Sequence, residues 1–187
     1  MKNLITNLLL LMLFYCAGPK DILYNNPNTA SIIVINEINY KSANNFDSGD
    51  WVELYNTTDE IQDISNWVFK DENDNKSFTI SEELLLYPNG FIVLCNNIIA
   101  FQEINPDVNN IIGELDFGLS GGGELLQLFD NSGNLIDFVD YNDSYPWPTE
   151  PHGNGPTLEL IDPLSDNNLA ENWEASEHLG SPGHHND

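Results

Sequence analysis

The sequence predicts an all-β protein, an antiparallel β-sandwich of about seven to eight strands. Short segments of β-type residues recur along the chain, and clusters rich in Asn, Asp, Gly and Pro separate them. No long stretch keeps the period of a helix. Hydrophobic residues make up 41% of the chain, which is enough to fill a core between two sheets.

Seven segments have the residue types of strands, and an eighth is a further candidate. Pro88-Asn89-Gly90 predicts a turn, because proline fixes φ and glycine adopts conformations that other residues avoid. Residues 130–134 predict the loop of a hairpin, and residues 97–104 have room for about one or two turns of helix. The predicted strands are residues 32–40, 50–56, 67–70, 76–80, 91–96, 124–130, 135–141 and, as the eighth, 157–161.

Alternation along two of these strands predicts which face lies inside. In residues 124–130, Leu126 and Leu128 fall on the same side, so that side is expected to pack in the core. In residues 135–141, both alternating sets contain apolar residues. The sequence therefore does not decide which face of that strand lies inside.

The chain is strongly acidic. Thirty acidic residues against five basic ones give a formal net charge of −25. Affinity for nucleic acids comes largely from Lys and Arg that release counterions from phosphates, so the composition argues against a nucleic-acid partner. Such a surface attracts divalent cations or basic partners. The alternative is a solvated surface without a specific partner, which keeps the protein soluble through repulsion between like charges.

The first 16 residues have the features of a secretory signal peptide. Lys2 supplies a positive charge, and residues 8–14 form an apolar run. That run is too short to span a bilayer, which needs about 20 apolar residues. Cys16 occupies the position of the lipid acceptor in bacterial lipoproteins, although Tyr15 is bulkier than such signals prefer. The chain is therefore expected to be exported, either anchored to the cell envelope by a lipid on Cys16 or secreted.

The chain is predicted to have three parts. Residues 1–16 are the signal peptide, residues 17–31 a tether, and residues 32–185 one β-sandwich domain that ends in a frayed tail with His184-His185. The domain has a single cysteine, Cys95, and therefore no internal disulfide. Because Cys95 follows an apolar strand segment, it is interpreted as a small buried hydrophobe and not as a nucleophile.

A series of motifs runs from the first predicted strand to the C-terminus. They are Ile35-Asn36-Glu37-Ile38, residues 50–56 (DWVELYN), 64–71 (ISNWVFKD), 86–94 (LYPNGFIVL) and 122–141, then Trp147-Pro148, residues 155–160 (GPTLEL), Asn172-Trp173 and residues 180–183 (GSPG). In this order they resemble the lamin-tail domain of exported bacterial proteins, with Asn66 where that family usually has glycine. The resemblance implies an immunoglobulin-like fold, a surface or envelope module, and no enzymatic activity.

One group of acidic residues is a candidate metal site. Glu37 and Glu53 lie within predicted strands, and Asp50 begins the second of these strands. If the two strands are neighbours, as in the resembled fold, Glu37, Asp50 and Glu53 converge, and calcium takes several carboxylate oxygens of this kind. The alternative is a solvated outer face of the sheet.

A second acidic segment has the spacing of a calcium-binding loop. Asp71, Asn73 and Asn75 hold the first, third and fifth positions of an EF-hand pattern, and Glu82 holds the twelfth. Lys76 stands where that loop needs glycine, and the flanks are strand-like. A turn in which Asp and Asn side chains bond their own backbone is the favoured interpretation.

Residues 118–122 (GLSGG) match the G-x-S-x-G pattern of hydrolase nucleophiles. That chemistry requires a strand before the serine and a helix after it, whereas a strand is predicted next at residues 124–130. The context favours a flexible glycine loop.

Trp147 lies between two prolines and close to Tyr145. An aromatic loop of this kind can stack on a sugar or a peptide, so Trp147 and Tyr145 are candidate ligand-binding residues. The alternative is that Trp147 caps one end of the core, since tryptophan is mostly buried.

The leading functional interpretation is an exported, non-catalytic module, envelope-associated or secreted. It would bind a protein or a glycan or play a structural part, with calcium as the candidate cofactor. The alternative is a hydrolase that uses Glu37, Asp50 and Glu53 with a divalent metal. A deep pocket enclosing these carboxylates would favour the hydrolase, and a flat sheet face would favour the module.

Overall fold

The structure, a computed structural model, describes residues 31–186. The predicted signal peptide with Cys16, and residues 17–30 of the predicted tether, lie outside the described residues. The helices are α1 (Ile98–Ile104) and a single-turn 3-10 helix (Ala170–Asn172). The strands are β1 (Ile33–Asn39), β2 (Trp51–Asn56), β3 (Gln62–Asp63), β4 (Val68–Lys70), β5 (Ser77–Thr79), β6 (Leu85–Leu86), β7 (Phe91–Cys95), β8 (Ile111–Gly113), β9 (Gly123–Phe129), β10 (Leu135–Asn142), β11 (Leu158–Leu160) and β12 (Trp173–Ala175).

The strands form two packed sheets and a small third one. The six-stranded sheet has the order β12-β11-β1-β2-β7-β8, the four-stranded sheet has the order β10-β9-β4-β5, and β3 pairs with β6. All pairings are antiparallel except that of β7 with β8. One apolar cluster with residues from both large sheets fills the space between them. The predicted all-β sandwich is confirmed.

Each of the eight predicted strands corresponds to an observed one, namely β1, β2, β4, β5, β7, β9, β10 and β11. The strands β3, β6, β8 and β12 were not predicted. Each of them has only two or three residues. A segment that short shows no alternating pattern, so only its neighbours in the sheet reveal it.

The predicted turns and helix are present. The backbone N–H of Gly90 donates to the carbonyl oxygen of Tyr87 at 2.9 Å. In the loop between β9 and β10, Asp130 Oδ1 accepts the N–H of Asn134 at 2.8 Å. The side chain of Asn97 caps the N-terminus of α1. Among the described residues, no helix has the length and apolar character needed to cross a membrane.

The structure resolves which faces of β9 and β10 lie inside. Leu126 and Leu128 are fully buried in the core, as predicted. In β10 the inward side chains are Asp137, Val139 and Tyr141. The inner face of β10 thus includes a carboxylate. For that reason the alternation of apolar residues does not show which face of β10 lies inside.

The outer face of the six-stranded sheet carries a second, smaller apolar cluster under α1. It contains Trp51, Val93, Cys95 and Phe101, and the rings of Trp51 and Phe101 meet edge to face at 5.5 Å. Burial raises the pKa of the Cys95 thiol to about 11, so the thiol stays neutral. Cys95 is therefore a small buried hydrophobe, as predicted.

Residues 180–186, which we call the C-terminal strap, lie on the same outer face. The ring of His185 packs edge to face against Phe91, with ring centroids 5.4 Å apart. The Asn186 amide donates to the carbonyl oxygen of Leu160 at 2.9 Å. The expectation of a frayed tail at His184-His185 is therefore wrong, because this polar segment bonds to the sheet with its backbone and amide groups.

Asp137 links the two large sheets. Its Oδ2 accepts the backbone N–H of Ile35 in β1 at 2.7 Å and the side-chain amide of Asn167, also at 2.7 Å. Burial raises the pKa of Asp137 to about 7, although these hydrogen bonds favour the charged form. The carboxylate satisfies a backbone N–H at the β1 bulge, where the pairing with β2 shifts register.

We therefore expect Asp137→Ala to lower the free energy of unfolding by about 2–3 kcal/mol, because it leaves the Ile35 N–H and the Asn167 amide without their acceptor. Asp140→Ala is the matched control, since Asp140 lies on the same strand with an exposed side chain, and it should change stability by less than about 0.5 kcal/mol. Urea unfolding measures both. Equal effects of the two substitutions would show that Asp137 has no linking role.

Candidate functional site

Four glutamates lie side by side across the six-stranded sheet. Glu174 of β12 is paired with Glu159 of β11, Glu159 with Glu37 of β1, and Glu37 with Glu53 of β2. Directly paired residues of antiparallel strands point to the same face. We call these residues the glutamate row. Glu37, Glu53 and Glu159 are each 0% exposed, whereas Glu174 is exposed.

The C-terminal strap covers the three buried members of the row and bonds to each of them. The backbone N–H of Ser181 donates to Glu37 Oε1 at 3.1 Å, and its hydroxyl donates to Glu159 Oε1 at 2.8 Å. The backbone N–H of Gly183 donates to Glu53 Oε2 at 2.6 Å. The strap therefore supplies donors that replace part of the lost hydration of these carboxyl groups.

Side chains of the sheet provide further donors. The Thr157 hydroxyl donates to Glu37 Oε1 at 2.5 Å, and the Asn36 amide donates to Glu53 Oε1 at 3.0 Å. Both oxygens of Glu53 are thus hydrogen-bonded. Glu37 differs, because its Oε2 is buried and accepts no hydrogen bond.

The surroundings of the row favour protonated carboxyl groups. Burial raises the pKa of Glu37 well above its usual value, and the neighbouring carboxyls of Glu53 and Glu159 raise it further. Burial also raises the pKa of Glu53 to about 8, although the Gly183 N–H and the Asn36 amide oppose this shift. Burial and the neighbouring carboxyl groups therefore favour the neutral, protonated form of Glu37 and Glu53.

No lysine of residues 31–186 neutralises the row. Lys70 pairs with Asp74, Lys76 forms an ion pair with Asp71 at 2.8 Å, and Lys41 lies against His152. The chain has only five basic residues in total. Within the described part of the chain, no lysine ammonium group therefore offsets the charge of Glu37 and Glu53.

Glu37 and Glu53 are brought together as predicted, but Asp50 lies elsewhere. Asp50 Oδ2 accepts the backbone N–H of Leu119 at 2.8 Å. Burial raises the pKa of Asp50 to about 6, which the Leu119 N–H opposes and Asp47 promotes. Residues 31–186 contain no group of three or more His, Cys, Asp or Glu side chains arranged to hold a metal ion.

Glu159 is the residue that sequence reasoning missed. It lies between Leu158 and Leu160 in the eighth predicted strand, just as Glu53 lies among apolar neighbours in β2. A glutamate within an apolar strand was therefore the available signal. The expectation of a solvated outer face is wrong as well, because the strap buries these side chains.

The EF-hand-like segment forms the turn between β4 and β5. Asp71 Oδ1 accepts the backbone N–H of Asn73 at 2.6 Å, and Asn73 Oδ1 accepts that of Asn75 at 3.1 Å. Lys76 binds the other oxygen of Asp71. The interpretation as an Asx-rich turn is confirmed.

The glycine-rich segment at residues 118–122 is a loop that leads into β9. Ser120 Oγ accepts the backbone N–H of Gly122 at 3.3 Å, and the Ser120 carbonyl accepts the Tyr141 hydroxyl at 2.7 Å. A strand follows instead of a helix, so the loop interpretation is confirmed and the nucleophile pattern lacks its structural context.

The two candidate aromatic residues have different environments. Trp147 is only 8% exposed and packs against Trp173 with ring centroids 6.0 Å apart, so it caps the core. Tyr145 is 91% exposed. Only Tyr145 therefore has a free ring face, and the buried Trp147 fixes the loop that carries it.

Neither Glu37 nor Glu53 lines either of two surface pockets found in the described region. One, of about 130 Å³, lies beside the strap and is lined by residues that include Tyr55, Phe91 and His185. The other, of about 400 Å³, is lined by Asp47, Gly49, Asp50, Asn96, Asn97 and Ala100. The three buried glutamates of the row are thus closed to a substrate.

A substitution in the strap tests how closely it fits the row. A Cβ at Gly180 would lie 2.3 Å from Glu37 Oε1, and the φ of Gly180 is +96°. Gly133 has a φ of +80° with no atom within 4 Å of such a Cβ. Gly133→Ala should lower stability by about 1–2 kcal/mol through backbone strain alone.

We expect Gly180→Ala to cost at least about 1 kcal/mol more than Gly133→Ala, because strain is joined by a clash with the carboxyl group. Urea unfolding of both variants measures the difference. Equal losses would mean that the strap does not press on Glu37.

Comparisons with known proteins agree with the architecture. The family model described as Lamin Tail Domain matches residues 26–143, more than half of the chain. A solved structure, of a DUF4876 family protein from Bacteroides thetaiotaomicron VPI-5482, has a similar fold, with a TM-score of 0.51 and 9% sequence identity over 81% of this chain and 69% of that one. A search of curated proteins found no match. The chain belongs to the lamin tail domain family and has its immunoglobulin-like fold.

Proposed function

We propose that this chain is an exported, non-catalytic module, envelope-associated or secreted, that binds a protein or a glycan or serves as a structural element. The observation that carries the proposal is the use of the candidate acidic side chains. Glu37, Glu53 and Asp50 accept hydrogen bonds from the protein's own backbone. Carboxyl groups that accept hydrogen bonds from the backbone stabilise the sandwich, and they do not form an open pair of carboxylates that a substrate could reach.

The N-terminal sequence supports the proposed location outside the cytoplasm or at the cell envelope. Residues 1–16 have the pattern of a signal peptide, and lipid attachment at Cys16 would hold the domain at the membrane surface. Palmitate labelling of the wild-type and Cys16→Ser chains distinguishes the anchored form from the secreted form. Labelling that persists in the variant would exclude Cys16 as the acceptor.

The exposed ring of Tyr145 supports a binding role. It projects from a loop that the buried Trp147 fixes to the core. An aromatic ring presented on a rigid loop loses little conformational entropy when it stacks on a sugar or a peptide side chain. We therefore place the contact surface of the proposed module at this loop.

Calcium at Glu37 and Glu53 remains a proposal. The measurement that decides it is the melting temperature of the purified chain with and without millimolar calcium, because a cation that binds only the folded state stabilises that state. A rise supports the metal, and an unchanged melting temperature removes it.

We expect Tyr145→Ala to weaken binding to the recognised glycan or protein about five- to thirtyfold, since stacking on one aromatic ring contributes about 1–2 kcal/mol. Glycan arrays and pull-downs from envelope fractions with the purified chain identify the ligand. Tyr87→Ala is the matched control, because Tyr87 is also exposed, at 63%, on a different loop. Binding that survives Tyr145→Ala would move the contact surface elsewhere, and the absence of any ligand would favour a structural role.

A further inference from the structure

Three polar side chains form a connected chain beside the loop that carries Tyr145. Lys41 follows the end of β1, and Asp143 and His152 lie between β10 and β11. Lys41 Nζ is 2.8 Å from His152 Nε2, and His152 Nδ1 is 3.2 Å from Asp143 Oδ2. We infer that these side chains and the ring of Tyr145 bind a neutral sugar, an inference that rests on the proposed binding role of the Tyr145 loop.

Hydrogen-bonding chemistry fixes the roles of the three polar side chains. An ammonium group has donors only, so His152 Nε2 accepts from Lys41 and the ring proton lies on Nδ1. That N–H faces the carboxylate of Asp143. The contact with His152 uses one N–H of the Lys41 ammonium, which has three. Lys41 thus has two donors for a ligand, and Asp143 supplies acceptors beside them.

Neighbouring segments hold the stem of Lys41. A Cβ at Gly153 would lie 3.4 Å from Lys41 Cε, and a Cβ at Gly121 would lie 3.5 Å from Lys41 Cδ, so the stem contacts both segments. Tyr40, the residue before it, is buried and stacks on Tyr141 with ring centroids 5.0 Å apart. A side chain that is already ordered loses less conformational entropy when it binds. The ammonium group is therefore positioned before a ligand arrives.

Tyr145 supplies the apolar part of the site. Its ring is exposed, and it comes two residues after Asp143, so the Cα atoms of these two residues are at most about 7 Å apart. An exposed ring stacks on the apolar face of a sugar, while a few polar groups fix its orientation. A donor and an acceptor side by side suit adjacent sugar hydroxyls, because each hydroxyl both donates and accepts.

The charge of the protein favours a neutral sugar over an acidic one. The chain has a formal net charge of −25, and the exposed Glu150 lies in the same segment as Asp143, so a ligand with carboxylates is repelled. Among residues 31–186, Lys41 is the lysine without a carboxylate partner, because Lys70 and Lys76 pair with aspartates. One ammonium group can donate to hydroxyls, but it does not offset these acidic surroundings.

NMR titration of the purified chain with oligosaccharides tests the inference. The neutral probes are galacto-, gluco-, manno- and xylo-oligosaccharides, and oligogalacturonides are the acidic counterpart of the galactose series. Each is used at about 10 mM, because a few contacts of this kind give micromolar to millimolar affinity. We expect at least one neutral series to shift the backbone amide signals of Ser144 and Gly153. Lys41→Met keeps the stem and removes the donors, so it should weaken that binding at least about tenfold.

Lys70→Met is the matched control, because Lys70 lies in β4 and pairs with Asp74, and it should bind like the wild-type chain. Binding that Tyr145→Ala weakens and Lys41→Met leaves unchanged would overturn this inference, yet the binding role of the loop would stand. Tighter binding of oligogalacturonides, or a protein partner with no neutral sugar bound, would have the same meaning. The absence of any ligand would contradict both this inference and the binding role.

Discussion

A buried carboxyl group must either find hydrogen-bond donors or keep its proton, and the six-stranded sheet buries Glu37, Glu53 and Glu159 next to one another. This requirement determines how the C-terminal part of the chain is arranged. The strap brings two backbone N–H groups and a hydroxyl to the row. At Gly180 even a methyl group would collide with Glu37. The strap is therefore a structural part of the sandwich.

The two faces of the six-stranded sheet are stabilised differently. The inner face packs against the four-stranded sheet through aliphatic and aromatic side chains, and Asp137 adds a polar link to β1. The outer face is covered in part by α1, over the cluster of Trp51 and Phe101, and in part by the strap. The lamin tail domain match ends at residue 143, so β11, β12 and the strap lie beyond it. Half of the glutamate row, Glu159 and Glu174, comes from these strands.

The sequence predicted the elements that carry their own local signal. The long strands either alternate apolar and polar residues or are continuously apolar. The residues of Pro88-Asn89-Gly90 themselves favour a turn. Asparagine, as at position 97, is a favoured residue at the N-terminus of a helix, where Asn97 caps α1. Glu37 and Glu53 were placed together correctly, because the two strands that carry them resemble neighbouring strands of a known fold. The sequence alone does not determine the position of Trp147, because local sequence does not show that Trp173 lies beside it.

The wrong or missing predictions concern contacts between residues that are distant in sequence. The strap has no apolar periodicity, so the sequence predicts a tail at residues such as His185, although backbone donors fix the segment to strands far away in the chain. Asp50 was grouped with Glu37 because it is close in sequence to Glu53, but its carboxylate bonds to the loop before β9. Glu159 was overlooked because only the pairing of β11 with β1 brings it to the row.

The arrangement of the outer sheet face depends on the protonation state of the buried glutamates, which a carbon-13 NMR titration of the glutamate side-chain carboxyl groups measures directly. We expect Glu37 and Glu53 to titrate well above the ordinary glutamate value of about 4.3, because burial raises the pKa of both carboxyl groups. Titration of both near that ordinary value would show instead that the buried carboxyl groups are already charged beneath the strap.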